Sequence, residues 1–146
     1  MYLLDSSAIA VILKRLRERS VEILEGQFTL DLTRYELGNV IWKECALEDL
    51  ISPDKAVERV GDIARILEIT KNESIRSSED LRGVMKLATE LKITFYDASY
   101  LYTAKSKEAI LVTEDRELSD KAKHTSIKAI TVTQLLEEKK RSTENC

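Results

Sequence analysis

The sequence predicts an α/β protein, a three-layer sandwich with a mainly parallel central sheet. Three observations lead there. Short apolar runs of strand length alternate with stretches of helical period along the whole chain. Tyr2-Leu3-Leu4 and Ala109-Ile110-Leu111-Val112-Thr113 are unbroken apolar runs, the pattern of parallel strands buried on both faces. Acids stand directly after several of these runs, and the carboxyl ends of parallel strands form the rim where open α/β sheets bind ligands. With 146 residues the chain is long enough for one domain with a full core and short for two, so a single domain over 1–146 is expected.

Each element follows from local signals. Tyr2 to Leu4 is the first strand, and Ser6 or Ser7 opens a helix carried by Ala8, Ile9, Val11 and Ile12 to about Leu16. A short helix around Val21 to Leu24 stops at Gly26, a natural left-handed cap. Phe28 to Leu32 reads as the second strand and Arg34 to Glu48 as the next helix. Ser52-Pro53 starts a helix with proline in its first turn, and Val57, Val60, Ile63, Ala64 and Leu67 form its apolar stripe. Ser77 to Asp80 has the spacing of a capping box and leads into Leu81, Val84, Met85, Ala88 and Leu91. Ile93-Thr94-Phe95-Tyr96 is strand-like, with a helix from Asp97 through Ala98, Leu101, Tyr102 and Ala104. Ala109 to Thr113 is the most buried strand, a short helix follows Asp115, and Ile127 to Val132 is the last strand. Gln134 to Arg141 closes the chain as a helix, with fraying expected over about 137–146.

Four acids, Asp5, Glu36, Asp97 and Asp115, fall at the expected rim. Carboxylates gathered there would repel one another unless some were protonated or a cation lay between them, and the fitting cation is a hard divalent one, Mg²⁺ or Mn²⁺. Asp5, Asp97 and Asp115 also stand where helices begin, so each is equally a candidate N-cap contributing about 1 kcal/mol. Glu36 lies inside its helix beside the arc of Leu37, Val40, Ile41 and Leu47, where capping does not explain it. Thr113 and Ser7, each two residues from an acid, supply short hydroxyls suited to holding a metal-bound water.

Composition excludes several classes. Hydrophobic residues make up 43% and charged residues 34%, the balance of a soluble globular protein. Lys and Arg number 23 against 26 Asp and Glu, so the chain is not a DNA-coating protein. His124 is the single histidine, which rules out chemistry that needs two imidazoles from one chain. The four glycines are scattered, without a phosphate-cradling loop, and Cys45 and Cys146 make neither a disulfide framework nor a zinc site. No apolar run reaches membrane-spanning length and no cleavable leader is visible, so a cytoplasmic location is expected. A phosphoacceptor receiver domain, also α/β with acids at strand ends, needs a lysine followed by proline near the last strand, and the only proline is Pro53.

Leu4-Asp5-Ser6-Ser7-Ala8, Thr33-Arg34-Tyr35-Glu36-Leu37-Gly38-Asn39-Val40, Tyr96-Asp97-Ala98-Ser99-Tyr100-Leu101 and Leu111-Val112-Thr113-Glu114-Asp115-Arg116-Glu117-Leu118 together resemble the PIN-domain nucleases, and among them most the VapC-type toxins of toxin-antitoxin pairs. The resemblance runs from Tyr2 to about Leu136 with the motifs in family order; Lys105-Ser106-Lys107-Glu108 lacks a glycine often found there. It implies a metal-dependent endoribonuclease in which Asp5, Glu36, Asp97 and Asp115 bind one or two Mg²⁺ or Mn²⁺ ions and Thr113 fills the hydroxyl position. It also implies an RNA substrate and a small cognate antitoxin. An acidic cleft repels RNA, so basic residues must grip the backbone, and Lys43, Arg34, Lys14 and Arg15 are the candidates. The long apolar stripes of the two central helices are candidates for a homodimer face. A catalytically silent PIN-like binding module and an RNA-processing nuclease that is not a toxin are the alternatives.

Overall fold

The computed structural model describes residues 1–146. Five strands form one parallel sheet in the order β3-β2-β1-β4-β5: β1 (Tyr2–Leu4), β2 (Phe28–Leu30), β3 (Lys71–Glu73), β4 (Ile110–Val112) and β5 (Ala129–Ile130). The expected α/β architecture is what the chain forms. β1 is central, with Leu3 in register with Phe28 on one side and Leu111 on the other. The chain first winds outward to β3 and then returns across β1 to β4, so the order reverses between β1 and β4. That reversal opens a crevice at the strands' carboxyl ends.

The strand period divides the core into two layers, because successive side chains point to opposite faces. Leu4, Val112 and Ile130 pack with α1 (Ser6–Leu16), α2 (Ser20–Leu24), α3 (Leu32–Ala46), α4 (Pro53–Ile69) and α8 (Val132–Glu144). Leu3 and Leu111 turn the other way and join Tyr100, Leu101 and Ala104 of α6 (Phe95–Ser106) with Leu118 and Ala122 of α7 (Arg116–Ala122). The remaining helix, α5 (Ser78–Leu91), packs Val84 and Ala88 against Ala98 of α6. Gly83 lets α5 come close to α6, since a Cβ there would run into the Tyr102 ring.

Most boundaries fall where the sequence places them, and Gly26 takes the left-handed conformation at φ 72°. Ser52 caps α4 with Pro53 in its first turn, and Ser77 caps α5. Several expectations are corrected. Ile93 to Tyr96 is not a strand: α5 ends on a left-handed Lys92, and Thr94, only two residues later, already caps α6 through the Asp97 backbone N–H at 3.1 Å. Asp97 therefore lies within the first turn of α6 rather than at its cap. β2 is shorter than Phe28 to Leu32, because Leu32 starts α3, and likewise Val132 leaves the last strand to start α8. β3 carried no strand signal, being the polar Lys71-Asn72-Glu73 at a sheet edge, where polar residues discourage further pairing. The closing helix also runs past Arg141, to Glu144.

Candidate active site

The crevice between β1 and β4 is lined by the ends of the elements that hold the acids. Asp5 follows β1 directly and caps α1, with Oδ1 accepting the Ala8 N–H at 2.9 Å and the Ser7 hydroxyl at 2.6 Å. Thr113, at the end of β4, donates its hydroxyl to the other oxygen, Asp5 Oδ2. Ser7 and Thr113 also lock the loop after β4: the Glu114 N–H donates to Ser7 at 3.0 Å and the Asp115 N–H to Thr113 at 3.0 Å. Asp115 caps α7 through the Leu118 N–H at 3.1 Å. Capping and site placement are thus the same geometry for Asp5 and Asp115. A cap uses one oxygen and aims the carboxylate along the rim. Glu114, the acid between Thr113 and Asp115, is occupied elsewhere, accepting the Val132 N–H at 2.8 Å.

Glu36 projects from the second turn of α3 and accepts the Tyr100 hydroxyl at 2.5 Å. Behind Tyr100 runs a buried chain of hydroxyls: Tyr100 to Thr33 at 2.6 Å, Thr33 to Thr29 at 2.8 Å, and Thr29 donating to the Leu4 carbonyl at 2.8 Å.

Electrostatics knits the four acids together. Burial pushes Asp5 up to about 6, against the pull of the Ser7, Thr113 and Ala8 donors, and the Glu36 charge adds to the rise. Glu36 is raised by burial and then by Asp97; Asp97 is raised by burial and then by Asp115. Repulsion therefore runs from Asp5 through Glu36 and Asp97 to Asp115. None of the four is in an ion pair with a lysine or arginine of the chain.

No three His, Cys, Asp or Glu side chains stand close enough to enclose a metal directly. The donor set is still that of a hydrated hard cation, since Mg²⁺ keeps several waters and is held through one or two carboxylates. Carboxylates and hydroxyls without thiol or imidazole suit Mg²⁺ or Mn²⁺.

The basic candidates divide. Arg34 and Lys43 are exposed on α3 without a carboxylate partner; Arg34 is in the first turn, and Lys43 is two turns beyond Glu36 on nearly the same side. Lys14 and Arg15 lie in the last turn of α1, roughly 13 Å along the helix from Asp5 at 1.5 Å per residue. Lys14 pairs with Glu44 at 3.6 Å and Arg15 donates to Thr133 at 2.9 Å. Tyr100, Thr33 and Thr29 had no role assigned from sequence. The signal available was a tyrosine on the face of α6 that Ala98, Leu101 and Ala104 bury, whose hydroxyl needs a partner.

A PIN-domain family model matches residues 2–124, which is most of the chain and includes all four acids. The chain belongs to the PIN-domain family. This PIN domain is 36% identical over 124 residues to "Exonuclease VapC9" of Pyrobaculum aerophilum, covering 84% of this chain and 86% of that protein. It is 32% identical over 122 residues to "Ribonuclease VapC3" of the same organism, covering 80% and 91%. Both relatives are VapC proteins, the expected subgroup. A crystal structure of a Pyrobaculum aerophilum protein superposes with a TM-score of 0.76 at 34% identity, covering 93% of each chain. A toxin-antitoxin complex from Klebsiella pneumoniae shares the fold at a TM-score of 0.61 and 18% identity, covering 90% of this chain and 98% of that one.

Proposed function

We propose that this PIN domain is a metal-dependent endoribonuclease and the toxin of a toxin-antitoxin pair. The observation that supports it most is the rim of four acids, coupled by mutual repulsion and lacking any cation from the chain itself. A carboxylate half-withdrawn from water without a counter-charge is costly, and a bound divalent ion removes that cost. Asp5, Glu36, Asp97 and Asp115 would hold one or two Mg²⁺ or Mn²⁺ ions. When bound, such an ion activates a water for attack on the phosphodiester and stabilises the charge developing on phosphate.

The chain's own residues do the orienting. Thr113, Ser7 and the Ala8 N–H fix both oxygens of Asp5, so this carboxylate is preorganised on a strand end rather than on a mobile loop. Tyr100 fixes Glu36 through its hydroxyl. Arg34 and Lys43 draw the RNA backbone past the acids, where phosphate would otherwise be repelled. A cationic side chain from an antitoxin would satisfy Glu36, Asp97 or Asp115 and exclude the metal. The exposed apolar residues Val57 and Val60 on α4 and Leu81 and Met85 on α5 are offered for partner or homodimer contact.

Purified protein should cut RNA with Mg²⁺ or Mn²⁺ and stop in excess chelator; cleavage that survives the chelator contradicts the proposal. A closed circle of RNA separates the modes of attack, since an endonuclease opens it and an exonuclease does not. Expression in cells should arrest growth in an Asp5-dependent manner, and a small neighbouring protein should relieve it. An active nuclease whose expression is harmless would instead be an RNA-processing enzyme.

A further inference from the structure

We propose that Tyr100 is a positioning residue for the acid rim, its hydroxyl, braced by Thr33 and Thr29, fixing the direction in which Glu36 presents its carboxylate. The inference rests on the nuclease reading and adds to it a residue outside the set of acids and hydroxyls at the strand ends.

Tyr100 is 1% exposed, and its ring belongs to the apolar layer with Leu3, Phe28, Leu30 and Leu111. A phenylalanine would fill that layer equally well. The hydroxyl instead ends on Glu36 Oε1 at 2.5 Å, 64 residues away in the chain. Glutamate has three rotatable side-chain bonds and here has no cation to hold it; the Ser6 hydroxyl also reaches it, but only Tyr100 offers a donor built on a buried ring, which removes freedom that a flexible partner leaves.

The bracing extends the argument. Thr33 and Thr29 are both 0% exposed, and each would be an ordinary valine position if packing alone mattered. Both hydroxyls join the chain that ends on the Leu4 carbonyl, the backbone atom directly before Asp5. Glu36 on α3 and Asp5 after β1 are thereby referenced to one point of the backbone. Carboxylates from separate elements need such a common reference if they are to serve one hydrated ion, because supporting partners of metal ligands set orientation.

The test is Mn²⁺ affinity by calorimetry alongside RNA cleavage for wild type, Tyr100→Phe, Thr33→Val, Thr33→Ser and Tyr102→Phe. Tyr100→Phe should weaken Mn²⁺ by about ten- to hundredfold. At fixed metal its kcat should fall while KM for RNA stays as in wild type. Thr33→Val should move in the same direction by less, and Thr33→Ser, which keeps the hydroxyl, should return towards wild type. Tyr102→Phe removes a hydroxyl of the same helix that bonds Asp80 at 2.8 Å, and should change neither quantity. A folded Tyr100→Phe that binds Mn²⁺ and cleaves like wild type overturns the proposal and leaves the nuclease reading intact. If Tyr100→Phe does not fold, equal Mn²⁺ affinity in Thr33→Val and Thr33→Ser overturns it. A wild type that takes up no Mn²⁺ and cuts no RNA overturns both.

Discussion

Helix α3 carries two glutamates that the fold treats in opposite ways. Glu44 has a side chain only 13% exposed and is met by Arg59 at 2.6 Å and Lys14 at 3.6 Å. Glu36, two turns earlier, is also partly buried, yet its neighbours are the hydroxyls of Tyr100 and Ser6 and the carboxylates of Asp5 and Asp97. Where a carboxylate serves only the fold, the chain supplies the counter-charge. Where it is left without one among other acids, the charge stays available to something outside the chain. The difference lies in the second halves of the two sites, since α1 and α4 bring bases to Glu44 while β1 and α6 bring acids to Glu36.

The largest way to break this contrast is through activity. Asp5→Asn and Asp97→Asn keep the side-chain shape but remove a charge from the rim. Metal-assisted chemistry is worth several kcal/mol, so cleavage rates should fall by about a hundred- to a thousandfold with the fold intact by circular dichroism. Full activity in both variants would place the chemistry elsewhere.

Acid stability comes next. The unfolded Asp5 ionises near 3.8, whereas the folded one keeps its proton to about 6. Between these values the folded state binds more protons, so the metal-free protein should lose stability as pH rises through this window, by about 3 kcal/mol in all. Denaturant melts from pH 4 to pH 7 should show the slope, and Asp5→Asn should flatten it. A wild type that gains stability over the same window contradicts the burial argument.

Glu44 and Glu36 should respond to neutralisation in opposite ways. Glu44→Gln should destabilise by about 1 kcal/mol, a modest figure because Lys14 and Arg59 keep access to solvent. Glu36→Gln should raise the melting temperature of the metal-free protein, because it relieves the repulsion with Asp97. Shifts of the same sign in both would erase the distinction. The smallest effect is on RNA binding: Arg34→Ala and Lys43→Ala should each lower the salt slope by about one, and Lys14→Ala and Arg15→Ala should leave it unchanged.

How legible each part was depended on whether its cause is local. β1 and β4 are buried on both faces, which leaves an uninterrupted apolar signature; Asp5 follows β1 directly and Asp115 follows β4 after Thr113 and Glu114, so fold class and two acids are readable together. β3 is an edge strand whose polar residues are chosen against pairing, so no pattern announced it. Ile93 to Tyr96 has strand-like residues, but Thr94 three positions before Asp97 is a cap, and Phe95 and Tyr96 enter the first helical turn. Lys14 and Arg15 are candidates by their position after Asp5, but the helix that carries them, legible to about Leu16, sets both in its last turn, away from the rim. The hydroxyl chain from Leu4 to Glu36 joins β1, β2, α3 and α6 across separations of up to 67 residues, and its partners are set by tertiary packing.

If the unpaired rim is held for a divalent cation, melting wild type and Asp5→Asn at pH 7, in chelator and in saturating Mn²⁺, will separate the two roles of Asp5. In chelator the Asn variant should melt higher, since it removes a buried charge yet keeps an acceptor for the Ala8 N–H. In Mn²⁺ the wild type should rise, by about 2.7 kcal/mol of stability at a hundred times its dissociation constant, while the variant stays where it was. A wild type more stable than the variant in chelator and indifferent to Mn²⁺ would show that the four acids serve the fold alone.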